Sequence, residues 1–339
     1  MMAAARHASR PTLEDLASHA GVSRATASRV VNGSVKVTAE MREAVLRAID
    51  DLGYVPNPAA RSLVTQRSDS YALVLTESAD RTFSDSTFFP TLVQGVSQEL
   101  DAAGKELTLE VMNSRHSVER VRRRAAAGHV DGVVVASASG ADPVIRTLAG
   151  TGVPVVTNGR PSGGRPVPYV DAANADGARL AVRRLVESGR QRVATIAGSP
   201  RSAGGVDRLA GYRVEVTGSG REPIVALGDF SRESGAAAMF QLLADAPDVD
   251  AVFVASDLMA NGALQALRRS GRRVPDDVAV IGFDDTAAAW YAEPALTTVR
   301  QPIRDIGRTM ARQVLRLAGG DTIEPSVVLE TELVVRESA

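Results

Sequence analysis

Thr12-Leu13-Glu14-Asp15-Leu16-Ala17-Ser18-His19-Ala20-Gly21-Val22-Ser23-Arg24-Ala25-Thr26-Ala27-Ser28-Arg29-Val30-Val31-Asn32 spells two short helices and the turn between them. Thr12 is placed to cap the first helix, with Asp15 three positions on in a capping-box arrangement. Leu13, Leu16, Ala17 and Ala20 fall on one helical face. Gly21 stands where a helix end wants a positive φ. Ser23 caps the second helix, which turns Val30 and Val31 inward and ends near Asn32-Gly33. A third helix follows, capped by Thr38 and stopped by Gly53, with an expected inner face of Met41, Val45, Ile49 and Leu52. Arg24, Ala25, Thr26 and Arg29 project from the start and outer face of the second helix. Such a helix suits a DNA major groove, where Arg pairs with guanine and the methyls of Ala and Thr meet thymine. Ser23 and Ser28 are placed for phosphates. The rival reading is three ordinary helices of a helical subdomain.

Working outward, Tyr54-Val55-Pro56-Asn57-Pro58 bars a long helix with its two prolines. Pro58 suits the first position of a new short helix over 59–64, and 65–70 reads as a polar linker. From Tyr71 the pattern changes. Strands are expected over 71–76, 106–112, 132–136, 154–158, 193–197, 223–226, 251–255, 278–283 and 330–336. Helices are expected over 91–103, 175–188, 235–244, 257–270 and 303–318. Continuous apolar strands separated by amphipathic helices argue for parallel sheets covered on both faces. Val130-Asp131-Gly132-Val133-Val134-Val135-Ala136-Ser137 echoes Val249-Asp250-Ala251-Val252-Phe253-Val254-Ala255-Ser256. Two similar doubly wound lobes would explain the echo; so would chance likeness of two buried strands.

Composition limits the function classes. The 339 residues suffice for two or three domains, and a net charge of -1 makes any nucleic-acid site a local patch. There is no cysteine, and the four histidines show no metal-ligand spacing; no metal and no cofactor are expected. Residues 1–10 lack the apolar stretch of a secretory signal, and no run approaches the roughly 20 apolar residues of a membrane span. A soluble cytoplasmic protein is expected. A Gly-rich phosphate loop, a nucleophile elbow and a metal cluster are all missing, so an enzyme is not expected.

The quoted helical segment and Gly33 resemble the lactose-repressor family of bacterial regulators. Tyr54-Val55-Pro56-Asn57-Pro58-Ala59-Ala60-Arg61-Ser62-Leu63 is similar to that family's hinge. The resemblance implies an α/β protein with an all-α helix-turn-helix domain (10–57), a hinge helix and linker (58–70), and a periplasmic-binding-protein-like core (71–339). The core's first lobe is expected at about 71–169 and 300–328, its second at about 170–297 and 329–336. The implied function is a sequence-specific transcription regulator. Most members are repressors, here with operator affinity set by a small sugar-like effector; a sugar-binding protein without DNA function is the alternative. The implied partners are a palindromic double-stranded DNA operator, the effector and a second copy of the chain. Leucine heptads of a tetramerising tail are not seen after Arg336. Thr12, Asn32, Asn57 and Ala60 join the DNA contacts. Leu63 takes the place of the leucine that wedges between base steps in the minor groove, with an ordinary core leucine as the alternative.

The resemblance also supplies effector contacts. Phe83, Phe88 and Phe89 match ring-stacking aromatics after the first strand, with a core cap as the alternative. Aromatics make up only 4% of the chain, so this cluster stands out. Arg208 in Asp207-Arg208-Leu209-Ala210-Gly211-Tyr212 matches an arginine that binds ligand hydroxyls or a carboxylate. Phe230 matches another stacking ring. Ser256, Asp257 and Asp284 follow strands at their C-terminal ends, Asp257 being equally an N-cap. Asn158 and Arg160 are first-lobe candidates. Two departures stand out. Ala173-Asn174 replaces the Asp-Asn common in relatives. The stretch from Gly211 to Gly228 reads as short by several residues, with Val214-Glu215-Val216-Thr217-Gly218-Ser219-Gly220 a poor helix and an altered second lobe expected.

Overall fold

The computed structural model describes residues 11–32, 36–55, 67–76, 87–112, 114–137, 143–163 and 166–339. Asn57, Ala60, Leu63 and the 59–64 helix lie outside these residues, as does Phe83. The chain divides into two compact units, Met1–Ser68 and Asp69–Ala339.

In the first unit, α1 (Leu13–His19), α2 (Arg24–Val31) and α3 (Ala39–Leu52) pack together. The capping box forms as the sequence dictates: Thr12 accepts from the Asp15 amide at 3.2 Å, and the Thr12 amide donates to Asp15 at 2.8 Å. Gly21 takes φ +66°, which frees the chain to turn tightly into Ser23. Leu16, Ala17, Ala27, Val30, Val45, Ala48 and Tyr54 form the core. Met41 is a correction: it is 45% exposed, and the buried residues of α3 are Val45 and Ala48, one helical turn and more further along.

The second unit holds two six-stranded sheets. The first runs β11-β5-β4-β3-β1-β2 and is parallel throughout. Its strands are β1 (Ser70–Leu75), β2 (Glu106–Val111), β3 (Gly132–Ala136), β4 (Val155–Asn158), β5 (Tyr169–Ala172) and β11 (Ser326–Leu329). The helices α4 (Phe88–Ala102) and α12 (Ile303–Gly319) cover one face, and α5 (Arg115–Ala126) and α6 (Pro143–Ala149) cover the other.

The second sheet runs β12-β10-β9-β8-β6-β7, with only β12 antiparallel. It comprises β6 (Val193–Ala197), β7 (Ile224–Leu227), β8 (Ala251–Val254), β9 (Ala279–Asp284), β10 (Thr297–Arg300) and β12 (Glu332–Val334). Its faces are covered by α7 (Asn174–Glu187) with α8 (Ala203–Gly218), and by α9 (Arg232–Asp245) with α10 (Asp257–Arg269); α11 (Ala287–Trp290) is short. Buried, continuous apolar strands under helices on both faces are what parallel sheets require. Among the described residues no helix is long and apolar enough to cross a membrane.

Three crossovers join the lobes, after β5, after β10 and after β11. The lobe boundaries move accordingly. Residues 170–172 belong to the first sheet rather than the second lobe, and Arg300 stays with the second sheet. Of the expected strand over 330–336 only β12 forms, on the second sheet; β11 ends just before it on the first sheet, and both are half-exposed edges without a long apolar run. The second lobe also extends to the end of the chain: buried Ser338 donates to Val280 O at 2.6 Å and accepts from the Thr297 amide at 2.8 Å.

The largest correction concerns 203–218, which is one continuous helix of 16 residues where the sequence reads as a poor helix. Ser202 caps it. Tyr212 and Val216 are fully buried, and the Tyr212 hydroxyl ties Val193 O (2.9 Å) to the Ile224 amide (2.8 Å). Glu215 grips Arg179 and Arg183 of α7. Such contacts outweigh the few tenths of a kcal/mol that each β-branched residue costs a helix, about 0.7 at most. Gly211 lets α8 lie on α7: a Cβ there would run into Ala175 O. Gly211→Ala is expected to lower stability by about 1–3 kcal/mol in urea unfolding. Gly218→Ala, in the last helical position with nothing within 4 Å, should be neutral or stabilise by up to about 1 kcal/mol. Equal effects of the two would contradict the packed helix.

Candidate DNA interface and effector cleft

The start of α2 sorts the predicted DNA contacts into two groups. Ser23 accepts from the Thr26 amide at 3.1 Å and pairs with the Thr26 hydroxyl at 2.9 Å. Asn32 donates to Ser28 O at 2.8 Å and lies 3.3 Å from the Ser28 hydroxyl. Thr12 is held in its capping box. These five side chains therefore set the helix ends and hold α2 at a fixed angle. Arg24, Ala25 and Arg29 point outward and are exposed. The Arg24 Nε rests 2.6 Å from Glu14 Oε1 of α1. An exposed pair of this kind is worth about 0–1 kcal/mol, so the guanidinium can leave Glu14 for a base edge at little cost.

In the second unit the C-terminal ends of both sheets face the crossovers, where ligands of doubly wound folds bind. Arg208 of α8 is the centre of a buried cluster. Its Nη1 donates to Ala255 O at 2.6 Å and lies 3.4 Å from Asp284 Oδ1. Its Nε donates to Asn174 Oδ1 at 2.8 Å. Its guanidinium stacks 3.7 Å from the centre of the Phe283 ring. Asp284, at the end of β9 with φ +119°, also accepts from Gln301 Nε2 at 2.5 Å. A cavity of about 450 Å³ opens beside it, lined by Asp284, Gln301, Thr87, Thr91 and Arg304 among others. Among the described residues, that cavity reaches Asp284 and none of the other predicted effector contacts.

Charge in this cluster is dominated by burial. It pushes the Asp284 carboxyl up to about 6, against the pull of Arg208 and Gln301. Asp171 is raised by burial, partly offset by the Ala172 amide, Arg208 and Asn174. Asp257 is raised well above the usual range, by burial first and then by repulsion from Asp284. Burial also works against the charge on Arg208, with Asp284, Asp171 and Asp257 restoring it; a guanidinium stays protonated in proteins.

The other predicted effector residues fall in different places. Asp257 points away from the cleft: its oxygens take the Thr286 amide at 2.7 Å and the Thr298 hydroxyl at 2.5 Å, bracing α10 to β10. Ser256, not Asp257, is the N-cap, accepting from Met259 at 3.3 Å. Phe89 is 8% exposed and packs in the first-lobe core, edge-on to the half-buried Phe88 at 5.2 Å. Asn158 accepts from the Ser137 amide at 2.7 Å and ties strand ends together. Arg160 reaches across to Asp207 of the second lobe at 2.8 Å. Phe230, with φ +72°, lays its ring over Gly198, where a side chain would collide with it. Gln301, Asn174, Asp171 and Phe283 were not assigned effector roles from sequence. A polar residue straight after the buried strand Thr297–Arg300 was the available signal for Gln301.

A helix-turn-helix unit ahead of a two-lobed, doubly wound core with a polar cleft defines a ligand-responsive transcription regulator. Residues 12–57 match the family described as bacterial regulatory proteins, lacI family, and residues 182–339 match the periplasmic binding protein-like domain. The chain is 50% identical to the HTH-type transcriptional regulator CelR of Thermobifida fusca, over 97% of this chain and 98% of that one. It is 33% identical to the ribose operon repressor of Halalkalibacterium halodurans, over 96% of each chain. A solved complex of CelR with cellobiose superposes with a TM-score of 0.77 at 47% identity, covering 97% of this chain and 100% of that one. The Lac repressor dimer bound to operator and an anti-inducer superposes with a TM-score of 0.82 at 30% identity, covering 97% and 98%. The chain belongs to the lacI family of bacterial regulatory proteins. It is a DNA-binding transcription regulator and not an enzyme.

The raised pKa of Asp284 makes stability depend on pH. The folded protein keeps a proton on this group that the unfolded chain, with its carboxyl at 3.8, has released; between 3.8 and about 6, stability falls as pH rises. Asp284→Asn removes this loss while keeping the acceptor for Gln301. In thermal unfolding without ligand the variant should gain on the wild type from pH 4 to pH 7, values chosen to span roughly that window. A difference that stays flat with pH would contradict the assignment.

Proposed function

We propose that this regulator is a homodimeric repressor acting in the cytoplasm on a palindromic operator, and that a neutral oligosaccharide of the cellobiose class occupies its cleft and changes operator affinity. The observation that carries the reading is the pairing of buried Arg208 with Asp284. Together they offer donors and an acceptor, already oriented, to sugar hydroxyls in a place from which water is largely excluded. The cellobiose complex of CelR and the operator-bound Lac repressor dimer support it. Gln301 is added to the effector contacts, with Phe230 and Phe88 as the apolar faces of the cleft. Arg24, Ala25 and Arg29 read base edges, while Thr12, Ser23, Thr26, Ser28 and Asn32 hold the helix on the phosphates. Residues 58–70 serve as the hinge, with Asn57 and Ala60 at the DNA and Leu63 as the minor-groove wedge.

Fluorescence titration of the full-length protein with palindromic duplexes recovered by selection, with and without cellobiose, tests the reading. A preferred duplex and a cellobiose-dependent shift in its affinity are expected; binding to random duplex alone, unmoved by sugar, contradicts it. For Arg24→Ala, the expected loss is about 1–3 kcal/mol on the preferred duplex, confined to one or two base pairs. A uniform loss on every sequence would make Arg24 a phosphate contact.

A further inference from the structure

We propose that Asn174 is a positioning residue that ties the effector cleft to the relative placement of the two lobes, as the buried arm of a double clasp made by the adjacent pair Asp207 and Arg208. The inference rests on the function proposed above and adds how that site communicates.

Asn174 opens α7 at the first crossover, and it is 3% exposed. Its Nδ2 donates to Asp171 Oδ1 at 2.8 Å and to Ala172 O at 3.1 Å, both on β5 of the first lobe. Its Oδ1 accepts from Arg208 of the second lobe. A side-chain amide is both donor and acceptor, so it can join a carboxylate on one side to a guanidinium on the other. Aspartate could keep the Arg208 side but would set two carboxylates against each other on the Asp171 side. The amide is also tightly enclosed: a Cβ on Gly204 of α8 would approach its oxygen to 3.3 Å.

The chain of bonds continues from Arg208 to Asp284 and on to Gln301, beside the second crossover. One connected, buried path therefore runs between two crossovers and passes through the pair that reads the effector. The second arm of the clasp is Asp207, one residue earlier, held by Arg160 of the first lobe at 2.8 Å. Both arms land close together, since a Cβ on Gly159 would lie 3.7 Å from Asp171 Oδ2. They differ in weight. Arg160 is exposed and its ion pair is screened. The Asn174 arm is dry, so leaving its polar atoms without partners costs more than the bonds themselves contribute. A sugar hydroxyl that draws on Asp284 or Arg208 reorients the guanidinium, and Asn174 passes that change to Asp171. Lobe rotation strains the same bonds. Differential contact of this kind is what lets a ligand shift an equilibrium between lobe arrangements.

The test uses the full-length protein, the selected palindromic duplex and cellobiose at a concentration saturating for each variant. The readout is the ratio of operator affinities with and without sugar. The wild-type ratio should lie on the order of 5–150-fold, and Asn174→Ala should bring it within about threefold of unity. Asn174→Asp and Asp171→Ala should do the same, and combining Asn174→Ala with Asp171→Ala should add little, because both break one path. Arg160→Ala should reduce the ratio less than Asn174→Ala. Thermal unfolding should stay cooperative in all of them; if Asn174→Ala does not fold, the isosteric Asn174→Asp carries the test. An unchanged ratio in Asn174→Asp and Asp171→Ala, beside a wild type that responds, overturns the role of Asn174 and leaves the sugar reading standing. A wild type that ignores cellobiose overturns both.

Discussion

A single buried positive charge, the guanidinium of Arg208, organises the sensing half of this protein. An isolated ion in a protein interior is costly, so its surroundings must supply charge, hydrogen bonds and a polarisable face. Asp284 supplies the charge, Asn174 and the Ala255 carbonyl accept its protons, and the Phe283 ring lies under it. These partners come from three parts of the fold: the end of β9, a crossover and the loop after β8. Holding that one charge fixes their mutual positions. Burial leaves Asp284 above its ordinary range, and burial followed by repulsion from Asp284 does the same to Asp257; a site whose one guanidinium is already matched by carboxyl groups suits a neutral ligand rich in hydroxyls better than an anion.

The rest of the core serves to keep this cluster dry and aligned. Parallel strands deliver Asp284 and the 255–257 turn at the same edge of the sheet. Helix α8 is held against α7 by Glu215 with its two arginines and by the close approach at Gly211, which sets where Arg208 emerges. Asp285, adjacent to Asp284 and itself in the left-handed region at φ +56°, is gripped by Arg300 at 2.6 Å and by Arg336. The strained turn that presents Asp284 is therefore pinned from β10 and from the segment after β12, and the strain is held where the ligand would bind. In the DNA-reading unit the same economy holds: capping residues fix the recognition helix, and outward Arg24 is left with a weak surface pair.

Much of this was legible in the sequence because local rules and tertiary packing agree there. Thr12, Gly21, Ser23, Thr38 and Gly53 mark helix ends by chemistry that acts within a few residues, and the long apolar strands announce a parallel sheet. Legibility failed where a residue's role depends on distant partners. The segment 214–218 is β-branched and glycine-containing, yet Tyr212 and Val216 reach the core and carry the helix through it. Strands β5, β10 and β11 are short, polar or half-exposed. Thr297 and Thr298 are buried only because Ser338 and Asp257 satisfy them. In the site, Arg208 came from the family resemblance and Asp284 from its place at a strand end, whereas Asp257 and Phe89 are braces in the structure. Gln301 and Asn174 gain their meaning from three-dimensional neighbours, which no periodicity encodes.

Calorimetric titration of cellobiose into the wild type and into Arg208→Lys tests the central place of that guanidinium most directly. Lysine keeps the charge but loses the planar fork that holds Asn174, Ala255 and Asp284 together. A loss of about 10–100-fold in sugar affinity is expected in a variant that still folds. Undiminished affinity in Arg208→Lys, or no heat of binding in the wild type, would contradict the account.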